Sequence, residues 1–241
     1  VKIIGVDTAT DDTVVAAMDG ERVLFERLTG PGPDGRPRHS ETLLTAAEEA
    51  AESLGGWQRV DRIAAGTGPG TFTGIRIGIA TATGLSLSTG LPLVPVPTLA
   101  ALAVGAGRAL PGDGPVMPVL DARRGEAFAG LFNPVGRELE PAGVFSPERL
   151  TALLGRVSAR LPRPPRIAGP GSLRFRDQLE RAGYVVPETG SKAHRLSGRA
   201  LCELGAGPPA ARAGTPLEPI YLRAPDAQIW LERDRPGGGT K

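Results

Sequence analysis

The sequence predicts an α/β fold built twice, with two lobes facing each other across a cleft. Three observations carry this reading. The chain opens with VKIIGVD (1–7), turns and returns as TVVAAMDGERVLFERL (13–28), and VMPVLD (116–121) turns and returns as EAFAGLF (126–132). Each hairpin leads through a helix-type stretch to a similar element, RIAAGTGPGTF (62–72) in the first copy and RIAGPGSLRF (166–175) in the second. GRALPGDGP (107–115) supplies a Gly/Pro boundary between the copies. Clefts between paired domains are where ligands sit.

Composition narrows the function classes. A chain of 241 residues can bury a substantial core, as one large domain or two small ones. Its 28 basic and 26 acidic residues leave a net charge of +2, which argues against a dedicated electrostatic nucleic-acid binder. Only Lys2, Lys192 and Lys241 are lysine, and with 34 Gly and 24 Pro the composition reads as coding bias before it reads as function. Cys202 is the one cysteine, so an intramolecular disulfide is impossible and a reducing compartment is expected. The first residues read as a strand, without a charged and apolar leader, and no run reaches transmembrane length unbroken. The expectation is a cytoplasmic protein with no membrane association.

In chain order, 2–7, 13–18 and 22–28 form an antiparallel meander, with Asp19-Gly20 as a two-residue turn. Residues 29–38 have almost no apolar content and read as a mobile loop. Ser40 is placed to cap a helix over 41–54 that Gly55-Gly56 ends. A buried strand over 61–66 leads through Gly68-Pro69-Gly70 into a helix over 73–88. That helix is unusual, because Gly74 and Gly78 lie one turn apart, Thr81 and Ala82 continue the small side, and Gly84 follows. Interior glycines cost about 1 kcal/mol each relative to alanine, so another backbone must approach closely. Two partners fit: the chain's own sheet or a second chain. Ile75, Ile77, Ile79, Leu85 and Leu87 make the helix apolar around much of its circumference, which suggests burial on more than one side.

A short strand over 92–97 is followed by a helix that Thr98 caps. In the second copy, Ser146-Pro147 makes an N-cap and first-turn pair for a helix over 147–158. A strand over 166–169, a helix over 172–182, a short strand over 184–186 and a helix over 192–205 complete it. Residues 206–218 read as a linker, and PIYLRAP (219–225) as a segment that docks back on the body.

The chemistry-bearing residues are few. Asp7 and Asp121 end equivalent strands; facing each other they would hold a magnesium–phosphate, and apart they would cap their turns. With Thr8, Gly68, Gly70 and Arg123 they form the candidate cleft site, since the turn at 66–71 offers backbone N–H groups before a helix N-terminus. It lacks the G-K-[ST] ending of a Walker loop and the G-x-G-x-x-G fingerprint. His39 and His194 have no metal-ligand spacing, so no metal site is expected. His39 reads as ordering the start of its helix, and Cys202 as core. Arg76 stands alone among apolar and small residues and needs a partner or solvent. An active enzyme of the sugar-kinase or acetate-kinase type, using Asp7, Asp121 and the 66–71 turn around Mg-ATP, stays open on these residues.

IIGVDTAT (3–10), RHSETLL (38–44), GTGPGTFTGIRIGIATATGLS (66–86), VPTLAALA (96–103), VLDARRGEAFAG (119–130) and PIYLR (219–223) together resemble the TsaB (YeaZ) family. The resemblance implies a duplicated actin-like/ribonuclease H-like fold, two lobes each with a mixed sheet flanked by helices. It divides the chain at 1–106 and 107–223, with 224–241 as a flexible tail. It implies a non-catalytic subunit of the complex that makes threonylcarbamoyladenosine in tRNA, binding TsaD and with it TsaE, with a homodimer through the same helices and tRNA reached only indirectly. TsaD-like proteins carry a histidine metal motif where this chain has R-H-S-E-T-L-L, with no second histidine a turn later. No cofactor is therefore assigned to this chain, and ATP and metal are expected on the partner subunits. The implied partner interface uses His39, Leu43, Leu44 and Ala47 on one helix and Gly74, Ile75, Arg76, Gly78, Ile79 and Ala82 on the other.

Overall fold

The computed structural model describes residues 1–207 and 212–223, so the expectations for 224–241 lie outside the described residues. The first sheet is built from β1 (Lys2–Asp7), β2 (Thr13–Asp19), β3 (Arg22–Thr29), β4 (Arg62–Gly66) and β5 (Leu93–Val96), in the order β3-β2-β1-β4-β5. The second uses β6 (Val116–Asp121), β7 (Ala127–Phe132), β8 (Glu138–Phe145) and β9 (Arg166–Ala168), in the order β8-β7-β6-β9. In both, an antiparallel meander is extended by a parallel strand beside its first member. The duplication read from the sequence is therefore a duplication of topology, and the two mixed sheets with their flanking helices form the expected two-lobed α/β fold.

The central strands β1, β2, β6 and β7 are buried almost throughout, which is why their sequences are continuous apolar runs rather than alternations. β8 escaped the sequence reading. Its ELEPAGVF lies at the edge of the sheet and is half exposed, and a proline and a glycine interrupt its apolar pattern.

Helices α1 (His39–Ser53) and α2 (Phe72–Thr89) cover one face of the first sheet, sealing a core of Ile4, Val15, Ile63, Leu43 and Ala82. The other face meets α3 (Thr98–Ala109) and α7 (Gly198–Gly205), and this core runs on into the second lobe through Val116, Leu120 and Phe132. On the far side of the second sheet, α4 (Pro147–Ser158) and α6 (Arg176–Arg181) pack over Met117, Ala129 and Leu131.

Several expected boundaries move, each for a local reason. Ser40 is the second residue of α1 rather than its cap; Arg38 precedes the helix with no side-chain cap bond. Thr98 begins α3 but caps nothing, because its hydroxyl is committed to Asp7. The helix expected over 172–182 splits into α5 (Pro170–Arg174) and α6 at Phe175, whose ring turns into the second-lobe core. Residues 184–186 join no sheet. The helix expected over 192–205 is a single tight turn, Lys192–His194, followed by α7 with Ser197 as N-cap. The division at 106/107 falls inside α3, and α7 packs on β1, β2 and β4 of the first lobe. Chain order and lobe membership therefore part company after residue 197.

The connection between the copies is pinned by one side chain. Arg166 donates to the carbonyls of Gly107, Leu110, Gly112 and Gly114 at 2.6–3.1 Å. A charged group making this many bonds in a half-buried setting is worth more than an exposed ion pair. Arg166→Ala is expected to lower the unfolding free energy by about 2–3 kcal/mol, read as a reduced urea midpoint with an unchanged slope.

Candidate functional site

The turn between β1 and β2 seats directly on the first turns of α2. Thr71 N–H donates to Ala9 O (2.7 Å), and the Thr8 hydroxyl donates to Gly74 O (2.7 Å). A Cβ at residue 74 would overlap the Thr8 carbonyl, and one at 78 would sit 2.5 Å from Thr8 Oγ1. The backbone that approaches these glycines therefore belongs to this chain, which decides between the two partners the sequence left open. Gly84, one and a half turns on, faces open space.

This seating seals Asp7. Its carboxylate is fully buried, accepting from Ala9 N–H (2.6 Å) and from the Thr98 hydroxyl (2.7 Å). Gly66 faces it so closely that a Cβ there would overlap the carboxylate. Burial raises the Asp7 pKa to about 6, against the opposing pull of the Ala9 and Thr98 hydrogen bonds. Asp121 has the same turn-capping role, accepting from Arg123 N–H (2.8 Å), but its other oxygen meets Arg174 at 2.7 Å.

Between the lobes lies a cavity of about 230 Å³, lined by Ala9, Leu120 and Pro170 together with Asp11, Asp121, Arg123 and Arg174. Of the expected cleft residues, Gly70, Asp121 and Arg123 reach it. Asp7, Thr8 and Gly68 do not, because the β1–β2 turn and the start of α2 close over them. The two carboxylates thus do not converge on a shared cation. The cavity falls below the ~300–1,000 Å³ usual for a small-molecule site. Its charges are also already matched: Arg123 pairs with Asp11 (3.3 Å), and both Arg123 and Arg174 pair with Asp121. A larger depression of about 460 Å³, walled by Pro69, Pro97, Leu99, Phe132 and Leu222, is mainly apolar, and the carboxylate of its Glu138 is engaged by Ala142 N–H.

The histidines are structural in their contacts. His39 Nδ1 lies 2.9 Å from Thr13 Oγ1, tying the start of α1 to β2, while Nε2 is buried without a partner. Burial lowers the His39 pKa, partly offset by the nearby Asp11 carboxylate. One turn later Leu43 is in the core, so the residues present do not fit a histidine-ligated metal. His194 spans the carbonyls of Gly169 (2.9 Å) and Pro187 (3.0 Å). Among the described residues, no group of three or more His, Cys, Asp or Glu is arranged to hold a metal ion. Cys202 is fully buried, with its thiol pushed up to about 12 by burial. No helix among the described residues is long and apolar enough to cross a membrane.

The helix pair α1–α2 divides the remaining expected residues in two. His39, Leu43, Ala47, Gly74, Ile75, Gly78 and Ala82 are buried by the chain's own atoms; Leu44 and Arg76 are exposed and Ile79 is half-buried. Arg76 finds its partners within the chain: its guanidinium lies 3.8 Å from the centre of the Phe72 ring, and its Nε donates to Tyr221 Oη at 3.0 Å. Sequence reasoning passed over Phe72 and expected Leu87 among the apolar, buried side chains of α2, but both are exposed. Periodicity could not flag them on a helix apolar nearly all round.

A family model described as TsaD: tRNA N6-adenosine threonylcarbamoyltransferase matches residues 34–164. The chain is 32% identical over 138 residues to the tRNA threonylcarbamoyladenosine biosynthesis protein TsaB of Haemophilus influenzae, covering 56% of this chain and 54% of that protein. It is 32% identical over 152 residues to TsaB of Escherichia coli, covering 61% and 63%. The chain thus spans little more than half the length of the curated relatives it matches. Among solved structures, YeaZ from Pseudomonas aeruginosa superposes with a TM-score of 0.71 at 25% identity, over 92% of this chain and 99% of that one.

Two outcomes are expected from this geometry. Gly78→Leu destabilises the isolated chain by about 1–3 kcal/mol through overpacking against Thr8, whereas Gly84→Ala stabilises it by about 1 kcal/mol; thermal melts read both. For Asp7, the folded pKa of about 6 exceeds the ordinary 3.8. The native state therefore holds the proton more tightly, and this stability, present below pH 4, is lost as pH rises through 6. A shift of this size corresponds to about 3 kcal/mol. Asp7→Asn is expected to remove that slope from urea titrations between pH 4 and 6.

Proposed function

From the premise that this chain belongs to the tRNA N6-adenosine threonylcarbamoyltransferase family, on its TsaB/YeaZ side, we propose that it is a non-catalytic partner subunit. In this reading it pairs with TsaD in the machinery that makes threonylcarbamoyladenosine in tRNA, TsaE joins through that pair, and tRNA is met only through the complex. A homodimer through the same helices is the free form, and the setting is the cytoplasm. TsaD carries the transfer chemistry.

The observation that carries the reading is the outward face of α1 and α2. These helices pack against each other on the first sheet and present Leu44, Phe72 and Leu87 to solvent. Leu44 and Leu87 are 53% and 66% exposed, on a lobe whose core is already closed beneath them. These exposed apolar groups lie on the two helices expected to meet a partner, and in this reading the partner covers them. The cleft favours the same conclusion, since its cavity is small and its charges are paired among themselves.

Threonylcarbamoyl-adenylate and tRNA are expected to yield modified adenosine only when TsaD accompanies this chain; modification by the purified chain alone overturns the proposal. Replacing Leu44 and Leu87 together by glutamate should weaken TsaD binding, measured by calorimetry, by about 30-fold or more. The melting temperature should hold, because neither side chain is enclosed.

A further inference from the structure

We propose that residues 212–223 form a clasp that holds the two lobes closed over the cleft, coupling the flank of α2 to the interlobe turn at 122–126. The proposal does not rest on the identity of any partner.

The segment follows α2 from its C-terminal end to its N-terminal end. Gly214 N–H donates to Ser86 Oγ (2.9 Å), near the last turn of α2. Leu217 enters the core under α1 and α2. Ile220 N–H donates to Thr67 O (2.7 Å), just beyond β4. Tyr221 then reaches the first turns of α2, accepting from Arg76 and lying 5.3 Å from Phe72, ring centre to ring centre. Up to this point every anchor is in the first lobe.

Two residues later the anchor changes lobe. Leu222 packs on the core shared by both lobes. Arg223 donates to the Ala122 carbonyl and faces Glu126 at 3.3 Å, both on the turn between β6 and β7. The same turn carries Arg123, whose guanidinium crosses the cleft to Asp11. Arg123 and Arg124 hold left-handed backbone, with φ of 62° and 53°, a conformation sterically disfavoured for a non-glycine residue. The surroundings must therefore hold this turn in place.

Magnitudes identify the stronger tie. The Arg123–Asp11 pair is exposed on both sides, and exposed pairs contribute little. The Arg223 side chain is only 19% exposed, and it binds a backbone carbonyl as well as a carboxylate. Of these two polar ties Arg223 is the stronger, acting beside the apolar core the lobes share, and Tyr221 anchors the segment two residues before it. Displacing Tyr221 from Arg76 and Phe72 loosens the hold on the second lobe two residues on.

The test uses the full chain with spin labels at Gln58→Cys in the first lobe and Arg156→Cys in the second; buried Cys202 stays unlabelled. Arg223→Ala and Tyr221→Ala are expected to lengthen and broaden the interlabel distance distribution, while Tyr221→Phe, which keeps the ring contact, shifts it less. Amide exchange in 9–12 and 122–126 should quicken by about tenfold or more, with native circular dichroism. Folded Arg223→Ala and Tyr221→Ala proteins with unchanged distances and unchanged exchange overturn the clasp. Should either alanine variant fail to fold, Arg223→Gln is read by the same two measurements and the same criterion.

Discussion

The close seating of Thr8 and Ala9 on the glycine side of α2 is the constraint on which the rest of the first lobe depends. Two backbone-directed hydrogen bonds fix it, and three missing side chains, at Gly70, Gly74 and Gly78, make room for it. With those positions turned to the hairpin, Ile75 and Ala82 are directed into the core, and Arg76 is turned outward to Phe72 and Tyr221. The seating also takes the space a ligand would need around Asp7. The helix tolerates its poor intrinsic propensity because tertiary contact, not propensity, holds it in place.

The second copy uses the same device with less helix behind it. A Cβ at Gly171 would meet the backbone of Leu120 and Asp121, as one at Gly74 would meet Thr8. There, however, the helix after the glycine turn is five residues long and breaks at Phe175. A short helix cannot close over the strand end, so Asp121 stays at the cleft and is answered by Arg174 and Arg123 instead of by burial. One repeat sealed its carboxylate and the other neutralised it.

What was legible in the sequence follows from how local the determining physics is. The hairpins, both Gly-ended turns and the Ser146-Pro147 helix start are set by residues within a few positions of one another, and they were read correctly. β8 was missed because it is a half-exposed edge strand whose apolar pattern Glu138, Glu140, Pro141 and Gly143 break. Ser40 and Thr98 looked like caps because their type suits capping, but Thr98 answers to Asp7, 91 residues away. The glycine stripe of α2 announced a close backbone without naming it, since a stripe has the same spacing whether its partner is Thr8 or another molecule. Of the candidate site residues, the pattern could say which faces of α1 and α2 were apolar. It could not say which of two apolar faces was already covered.

The charges of the cleft are paired with one another, within the second lobe at Asp121 and across the lobes at Asp11. Asp11, Asp121, Arg123 and Arg174 sum to zero and satisfy one another, so an incoming phosphate would have to break those pairs before forming its own. The contacts that cross from the first lobe to the 122–126 turn, from Asp11 and from Arg223, instead fix how that turn stands over the strand ends. In a fold whose two copies face each other, the same groups can either grip a ligand or grip the opposite lobe. Here the charges are matched among themselves, the cavity is small and Asp7 is sealed, so the groups that could grip a ligand are already engaged by other protein groups.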